Sequence, residues 1–414
     1  MTPPVARAAV EPVLSRARIG VSLLFMTNGI LIGNLAPRLP DIRENLDLSY
    51  GGLGIAMAMW PIGSLGLGLV AGALIRRFRS SRVGVISMIA SALAMLLGAS
   101  TSSVVVFGAA LFVVGVTDAW VDVAQNSHGL RVQRLYRRSI NNAFHAMWSL
   151  GAVLGGLMGG AAAGLDLPVT WHFVGMAVLV IAMNLASYRL LLKGPEPRDI
   201  VEHGADEAGM PHEARPRRIP GRLWLVLLAL SLIAIGGGWA EDAAATWSAS
   251  YLRDELSASA TIAALGFVSL QGFQFIGRMT GDRMIDRFGQ RAVARFGGAF
   301  VVLGMGLALA FPSVWGTIAG FGAAGLGIAT IIPGAFHAAD ELPGLKPGTG
   351  LTVVSWLLRL AFLLSPPIVG LIADATSLRV GLAIMPALGV VVFLLAGVMA
   401  PRKHAPSPSS PSAN

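Results

Sequence analysis

The sequence contains no cysteine, which excludes disulfide bonds and thiolate metal sites. Charged residues are also scarce: they make up 13% of the 414 residues, whereas 54% are hydrophobic. No phosphate-binding loop, zinc-ligand spacing or nucleophile elbow is present in the chain. We therefore expect neither an enzyme nor a bound metal or cofactor.

Long apolar runs dominate what is present. Several exceed the roughly 18 residues at which an apolar run is interpreted as membrane-spanning, and the 51 glycines are compatible with closely packed membrane helices. The first run, residues 19–36, follows two arginines and is typical of a retained anchor rather than a cleaved signal sequence. The pattern predicts an all-α membrane protein with twelve transmembrane helices. They are expected near 18–38, 50–75, 82–100, 103–127, 140–164, 171–192, 222–249, 259–281, 292–311, 313–336, 349–373 and 378–400.

The basic residues give a formal net charge of +9, and their placement indicates membrane topology rather than nucleic-acid binding. Most of them lie in the tails and in one alternate set of loops. The opposite loops hold only Arg38, Arg43, Arg253 and Arg379. By the positive-inside rule, the tails and loops that hold most of the basic residues face the cytoplasm. We expect a multi-pass protein of the plasma (inner) membrane with both termini cytoplasmic.

An internal repeat divides the chain. The basic segment 281–291 has a weaker copy in the segment 72–82, where Arg76 corresponds to Asp286 at an offset of 210 residues, and the same offset relates 42–46 to 252–256. One offset at two separate places predicts two similar halves. We expect a six-helix bundle at 1–193, a cytoplasmic linker at 194–221, a pseudo-symmetric second bundle at 222–404 and a disordered tail at 405–414.

Ionisable residues inside apolar runs are the first candidates for function, because they are costly to bury in a membrane. Asp118 and Asp122 are four residues apart and share a helix face. Glu241 and Asp242 follow three consecutive glycines, where we expect a broken helix, and only one of the two should face a pathway. Arg359 lies well inside the eleventh run and should meet a carboxylate or an anionic substrate.

Each candidate has a structural alternative. Asp122 could pair with loop arginines such as Arg131 or Arg134, the pair at 241–242 could form a wet helix end, and Arg359 could form a purely structural ion pair. Further polar or aromatic positions could line a pathway or make helix–helix hydrogen bonds. These are Asn28, His145, Trp148, Gln271 and Gln274.

The segment 281–291 resembles the cytoplasmic loop signature of the major facilitator superfamily, roughly Gly-x-Leu-Ala-Asp-Arg-x-Gly-Arg-Arg. Asp282 stands where the first Gly is expected, and Arg76 replaces the Asp in the first copy. The resemblance implies gating loops and a twelve-helix fold in two parallel halves. It also implies that the loop carboxylate of Asp286 meets the start of the fifth helix, near Ser139 and Asn141. The gating-loop positions are Gly72, Arg76, Arg77, Gly281, Asp282, Asp286, Arg287, Gly289 and Arg291.

Within the superfamily, segments 36–42, 144–151 and 239–252 look like the YbjJ-type inner-membrane transporters, near the fucose permeases. The fucose permease resemblance implies proton symport through carboxylates on the first and fourth helices. This chain has Asp118 on the fourth helix and Asn28 on the first. The glycine-rich segment 151–160 resembles the superfamily's antiporter motif, and is also compatible with close helix packing.

These observations predict a transporter, expected to be a monomer in the lipid bilayer, that works by alternating access. We expect proton-coupled symport of a small-molecule substrate, sugar-like or otherwise small and polar, and no nucleic-acid partner. A drug/proton antiporter and a non-transporting receptor on a transporter fold are the alternatives.

Overall fold

The computed structural model describes residues 4–136, 140–194, 221–342, 345 and 348–399. The linker expected at 194–221 lies outside these residues except at its two ends, and the tail expected at 405–414 lies wholly outside them.

Twelve helices in the described residues are long and apolar enough to cross a membrane, as the sequence predicts. We call them spans 1 to 12. In order they are Pro12–Asn45, Tyr50–Phe78, Ser80–Ser100, Val104–Tyr136, Ala143–Gly164, Val169–Leu190, Leu223–Glu255, Ala260–Phe288, Gln290–Ala310, Val314–Asp340, Thr349–Ala375 and Leu378–Val398.

The predicted repeat is visible in the backbone. Spans 2, 3 and 4 begin 210 residues before spans 8, 9 and 10. Two unusual backbone positions recur at the same offset: Asp47 and Ser257 have φ of 50° and 54°, and Arg79 and Gly289 have φ of 76° and 81°. The chain therefore forms two pseudo-symmetric bundles of six helices, with spans 1–6 in the first and spans 7–12 in the second.

Three expectations about the helices need correction. Span 1 continues through a 3₁₀ turn, Ala36–Arg38, to Asn45, and span 4 continues to Tyr136 rather than ending near 127. The expected break at the three glycines does not occur, because Gly221–Ser250 is one α-helix. The helix ends in a π-helical turn, Tyr251–Glu255.

The three glycines of span 7 serve close packing. A Cβ atom on Gly236 would lie 2.7 Å from Cγ2 of Val392, and one on Gly237 would lie 2.9 Å from Cγ2 of Ile331. Spans 12 and 10 can therefore approach the backbone of span 7 at these positions. A glycine costs helix stability in water, but a membrane helix cannot release its backbone hydrogen bonds to solvent.

The glycine-rich segment of span 5 also packs closely. Cβ atoms on Gly151 and Gly155 would collide with the backbone of span 1 at Met26 and Ile30. On another side of the same helix, Gly160 meets Ala264 of span 8. Span 5 is therefore held against its own bundle and against the other one.

We call the end of the bundle where span 6 finishes and span 7 begins the linker end, and the opposite end the far end. At the far end, the start of span 2 packs against span 11, with Gly54 against Pro366 and Gly370 against Tyr50. Asp374 accepts hydrogen bonds from the backbone nitrogens of Tyr50 and Gly51, both at 2.9 Å. Its carboxylate caps the start of span 2, where the helix dipole favours a negative charge.

Reciprocal ion pairs also join the halves at the far end. Arg43 of the first half contacts Asp254 of the second at 3.2 Å. At the symmetry-equivalent positions, Arg253 contacts Glu44 at 3.1 Å and also binds Asp41. We call these contacts the far-end clasp. They close the far end of the interface between the two bundles.

Candidate functional site

A cavity of about 490 Å³ lies between the two bundles. Its ionisable lining comes from three spans, with Asp118 of span 4, Asp242 of span 7 and Arg359 of span 11. The sequence selected these three residues separately, and the structure brings them to one cavity. The rest of the wall is mostly apolar or aromatic, with a few hydroxyl groups. It includes Trp60, Phe267, Phe336, Leu358, Phe362, Ser64, Thr246 and Ser355.

A smaller cavity of about 120 Å³ shares part of this lining. Asp118 and Arg359 line both cavities, and the smaller one adds Asp122 and Trp356. Asp122 is one helical turn nearer to the linker end than Asp118. Ionisable side chains therefore line the interface between the halves along both cavities.

Asp118 is held by Asn28 of span 1, which is held in turn by Trp148 of span 5. Its Oδ1 accepts a hydrogen bond from Nδ2 of Asn28 at 2.7 Å, and Oδ1 of Asn28 accepts one from Nε1 of Trp148 at 2.6 Å. The indole can only donate, so it fixes the amide orientation that presents an N–H to the carboxylate. Asn28 thus couples span 1 to the carboxylate of span 4.

The adjacent acids of span 7 have different surroundings. Glu241 forms an ion pair with Arg278 of span 8 at 3.7 Å, while Asp242 lines the large cavity. Adjacent residues diverge by about 100° on a helix, which accounts for the separation. Of the two, Asp242 is therefore the acid that faces the cavity.

Arg278, which the sequence places on one face of span 8 with Gln271 and Gln274, joins the two halves. Its Nη1 donates to Oγ of Ser149 at 3.3 Å, and its guanidinium lies 5.9 Å from the ring centroid of Trp148. With the pair to Glu241, these contacts link span 7 through Trp148 to Asn28 and Asp118.

Asp122 and Arg359 interact across the halves. Asp122 is exposed to the interior space, accepts a hydrogen bond from Nδ2 of Asn126 at 3.0 Å and attracts Arg359 electrostatically. The sequence suggested Arg131 as one alternative partner, and that guanidinium donates to the carbonyl of Gly194 at 2.9 Å. Asp122 is therefore one carboxylate that acts on Arg359.

Three other candidates fall outside the lining of both cavities. Gln271 and Gln274 are buried in span 8. His145 is exposed and lies edge-on to Phe25 with ring centroids 5.1 Å apart. The sequence identified their span and polarity, but the packing of span 8 determines which way the two glutamines face.

The gating-loop residues lie at the linker end. Gly72, Gly281 and Gly289 are buried, whereas Arg76, Arg77, Asp282, Asp286 and Arg287 are exposed. Arg77 and Arg287 lie over the neighbouring Phe78 and Phe288 rings at 5.5 and 5.3 Å, respectively. Nε of Arg291 donates to the carbonyl of Met399 at 3.1 Å. Of the contacts expected for Asp286, Ser139 lies outside the described residues, and the carboxylate is open to solvent in this structure.

Comparison with known proteins identifies the family. The sequence model of the Major Facilitator Superfamily matches residues 21–251 and 230–414. The chain therefore belongs to the Major Facilitator Superfamily, a class of membrane transporters for small molecules. An uncharacterised transporter of Sinorhizobium fredii, y4wD, is 29% identical over 380 residues, which cover 92% of this chain and 97% of that protein. Membrane protein MosC of Rhizobium meliloti is 27% identical over 372 residues, which cover 90% of this chain and 87% of that protein.

Solved structures have the same fold. A bacterial homologue of the human lysosomal transporter Spinster, in an inward-facing and unoccupied conformation, superposes with a TM-score of 0.70 at 14% identity. The superposition covers 96% of this chain and 99% of the homologue. The nucleoside transporter NupG superposes with a TM-score of 0.68 at 12% identity, with coverages of 93% and 98%.

Proposed function

We propose that this chain is a secondary active transporter that moves a small solute by alternating access, as a proton-coupled symporter. The observation that carries the proposal is the cavity between the halves, with Asp118, Asp242 and Arg359 on its wall. Intramembrane ionisable groups mark substrate and ion pathways, and binding between two repeats is typical of secondary transporters.

The linker end is cytoplasmic in this proposal, and the protein is a monomer in the plasma membrane. The placement of the basic residues supports the orientation through the positive-inside rule. With the far end closed by its clasp, the structure then corresponds to an inward-open state. The bundles at 1–193 and 222–404 would rock about the cavity, breaking the clasp to open it to the outside.

Asp118 carries the coupling proton. A carboxyl group in a low-dielectric site takes up a proton more readily than one in water. The ionised group accepts the hydrogen bond from Asn28 at 2.7 Å, and protonation would weaken that charge-assisted bond. Asn28 belongs to span 1 and is held by Trp148 of span 5. A change of charge at Asp118 would therefore alter hydrogen bonds that join span 4 to spans 1 and 5.

The drug/proton antiporter is retained as a second candidate, because most of the cavity wall is apolar or aromatic. Proteoliposomes loaded with a pH-sensitive dye would be tested with a panel of sugars, amines and amphiphilic drugs. Proton entry with the substrate supports symport, and opposite movement supports antiport. Substrate binding without flux would support the receptor alternative.

Asp118→Asn should abolish proton-driven accumulation while leaving substrate exchange intact. The amide cannot bind the coupling proton but has nearly the same shape. Accumulation and exchange of a substrate found in the panel would be measured in parallel. Asp166→Asn, at an exposed carboxylate between spans 5 and 6, is the matched control and should behave like the parent. Accumulation against a gradient in Asp118→Asn would refute the assignment.

A further inference from the structure

Carboxylates outnumber cations on the wall of the two central cavities. Asp118, Asp122 and Asp242 line them, together with the single guanidinium of Arg359 among the described residues. Asp122 attracts Arg359 and so offsets its charge. Asp118 receives the amide of Asn28 and carries the coupling proton in the proposed function. Asp242 is the remaining carboxylate, and none of these assignments uses it.

One carboxylate oxygen of Asp242 has room for a further hydrogen-bond donor. In the described part of the chain, its buried Oδ2 atom has no hydrogen-bond partner. The hydroxyl of Ser365 interacts with the carboxylate, but it is a neutral donor and leaves Oδ2 without a hydrogen bond. Glu241, the neighbouring acid, forms an ion pair with Arg278 at 3.7 Å. A carboxylate placed in apolar surroundings is costly unless a cation or hydrogen-bond donor reaches it.

The wall around Asp242 indicates the rest of the ligand. Phe336, Leu358 and Phe362 line the same cavity, and Leu358 and Phe362 pack beside Gly238, one turn before Asp242. Thr246, one turn after it, adds a hydroxyl group to the lining. The arrangement offers one anionic contact, one polar contact and apolar surfaces within a volume of about 490 Å³.

We propose that the transported solute carries a protonated amine and that Asp242 is the residue that selects it. The ammonium group would donate to the Asp242 carboxylate, and its carbon skeleton would pack on the aromatic wall. This inference rests on the proposed transport function and names its substrate class. A sugar-like substrate would accordingly be an amino sugar or amino alcohol rather than a neutral sugar.

Binding to the purified full-length protein in detergent tests the proposal without a proton gradient. The probes are two matched pairs, phenethylamine with phenethyl alcohol and glucosamine with glucose, together with hydrocinnamate as an anion. Apparent Kd values come from the rise of the thermal unfolding midpoint with ligand concentration. We expect at least one amine to bind about tenfold more tightly than its neutral partner, since a charge-assisted hydrogen bond supplies that discrimination.

Three variants assign the preference to Asp242. Asp242→Asn should remove the difference between amine and alcohol, and Asp242→Glu should keep most of it. Glu341→Gln, at an exposed carboxylate near the end of span 10, should leave it unchanged. Equal binding within both pairs, tighter binding of the anion, or an amine preference that survives Asp242→Asn would each overturn the proposal. Intact amine binding without substrate-driven flux would count against the transport function instead.

Discussion

At the scale of single residues, Arg359 shows how an isolated charge is accommodated inside the membrane. It lines both cavities and interacts with Asp122 across the interface between the halves. Glu241 of span 7 pairs with Arg278. A buried arginine without compensation would cost at least about 2.5 kcal/mol, and we expect the attraction of Asp122 to offset part of that cost.

Arg359→Ala should lower stability and transport, because it leaves Asp122 uncompensated. Asp122 is exposed and attracts Arg359 across a cavity, so we expect a loss well below the roughly 3–5 kcal/mol of a broken buried ion pair. The thermal unfolding midpoint and substrate exchange would be measured. Asp122→Asn in the Arg359→Ala background should restore part of the loss, while Asp242→Asn in that background should not. If both second changes rescue equally, the pairing is wrong.

The positions of the charged site residues could be predicted from the sequence, whereas their partners could not. Asp118, Asp242 and Arg359 stand out because an ionisable group in an apolar run is expensive. The choice between Glu241 and Asp242 depends on the rotation of span 7, which its neighbours fix. The contact between Asn28 and Asp118 joins residues 90 positions apart, and no local pattern encodes it.

At the scale of elements, the turns between spans 2 and 3 and between spans 8 and 9 share an unusual backbone. Arg79 has φ 76° and ψ 147°, and Gly289 has φ 81° and ψ 154°. This region is almost restricted to glycine. The first turn keeps the shape of the second although its glycine is replaced, and Nη1 of Arg79 donates to the carbonyl of Lys193 at 2.6 Å.

Arg79→Gly should be more stable than Arg79→Ala by about 1–3 kcal/mol, the cost of this backbone region for a residue with a Cβ atom. Both variants lose the hydrogen bond to Lys193, so the difference between their unfolding free energies measures the cost of the backbone conformation. Gly289→Ala should be destabilised by a similar amount. Denaturant unfolding in detergent micelles would measure all three. Equal stability of the two Arg79 variants would show that the turn relaxes when its side chain changes.

The helices themselves were largely predictable, because a span needs about 20 apolar residues whatever its neighbours are. The residues at which the helices end were less predictable. Spans 1 and 4 continue beyond their apolar runs to Asn45 and Tyr136, where polar residues still form helix. The continuous helix at residues 236–238 was missed because glycine's low helix propensity is measured in water. Inside the bundle, the backbone has no water to bond to.

At the scale of the whole molecule, the two ends hold different contacts between the halves. The far end is joined by the clasp and by Asp374. At the linker end, Asp286 is exposed in this structure. In the outward-open state we expect Asp286 to meet the start of span 5, where a helix N-terminus favours an anion. Its counterpart Arg76 would bring a positive charge to the start of span 11 and contribute nothing to closure.

A single reporter cysteine can test both ends, because the chain has no native cysteine. Ala119→Cys places it on the smaller cavity, where labelling from the linker end would be followed in inverted membrane vesicles. Asp286→Asn should accelerate labelling by about two- to fivefold, and Arg253→Ala should slow it by weakening the clasp. Arg76→Ala should have little effect. A larger effect at Arg76, or faster labelling in Arg253→Ala, would contradict this assignment.

The clasp is also open to the solution at its own end. Arg253 and Glu44 have side chains that are 28% and 51% exposed. Dissolved ions screen attraction between exposed charges, over a distance of about 8 Å at physiological ionic strength. If the far end faces the outside, as proposed, we expect added external salt to weaken these contacts in part and to leave the linker end unaffected. On that orientation, we expect the salt concentration outside the cell to affect which end of the transporter is open at rest.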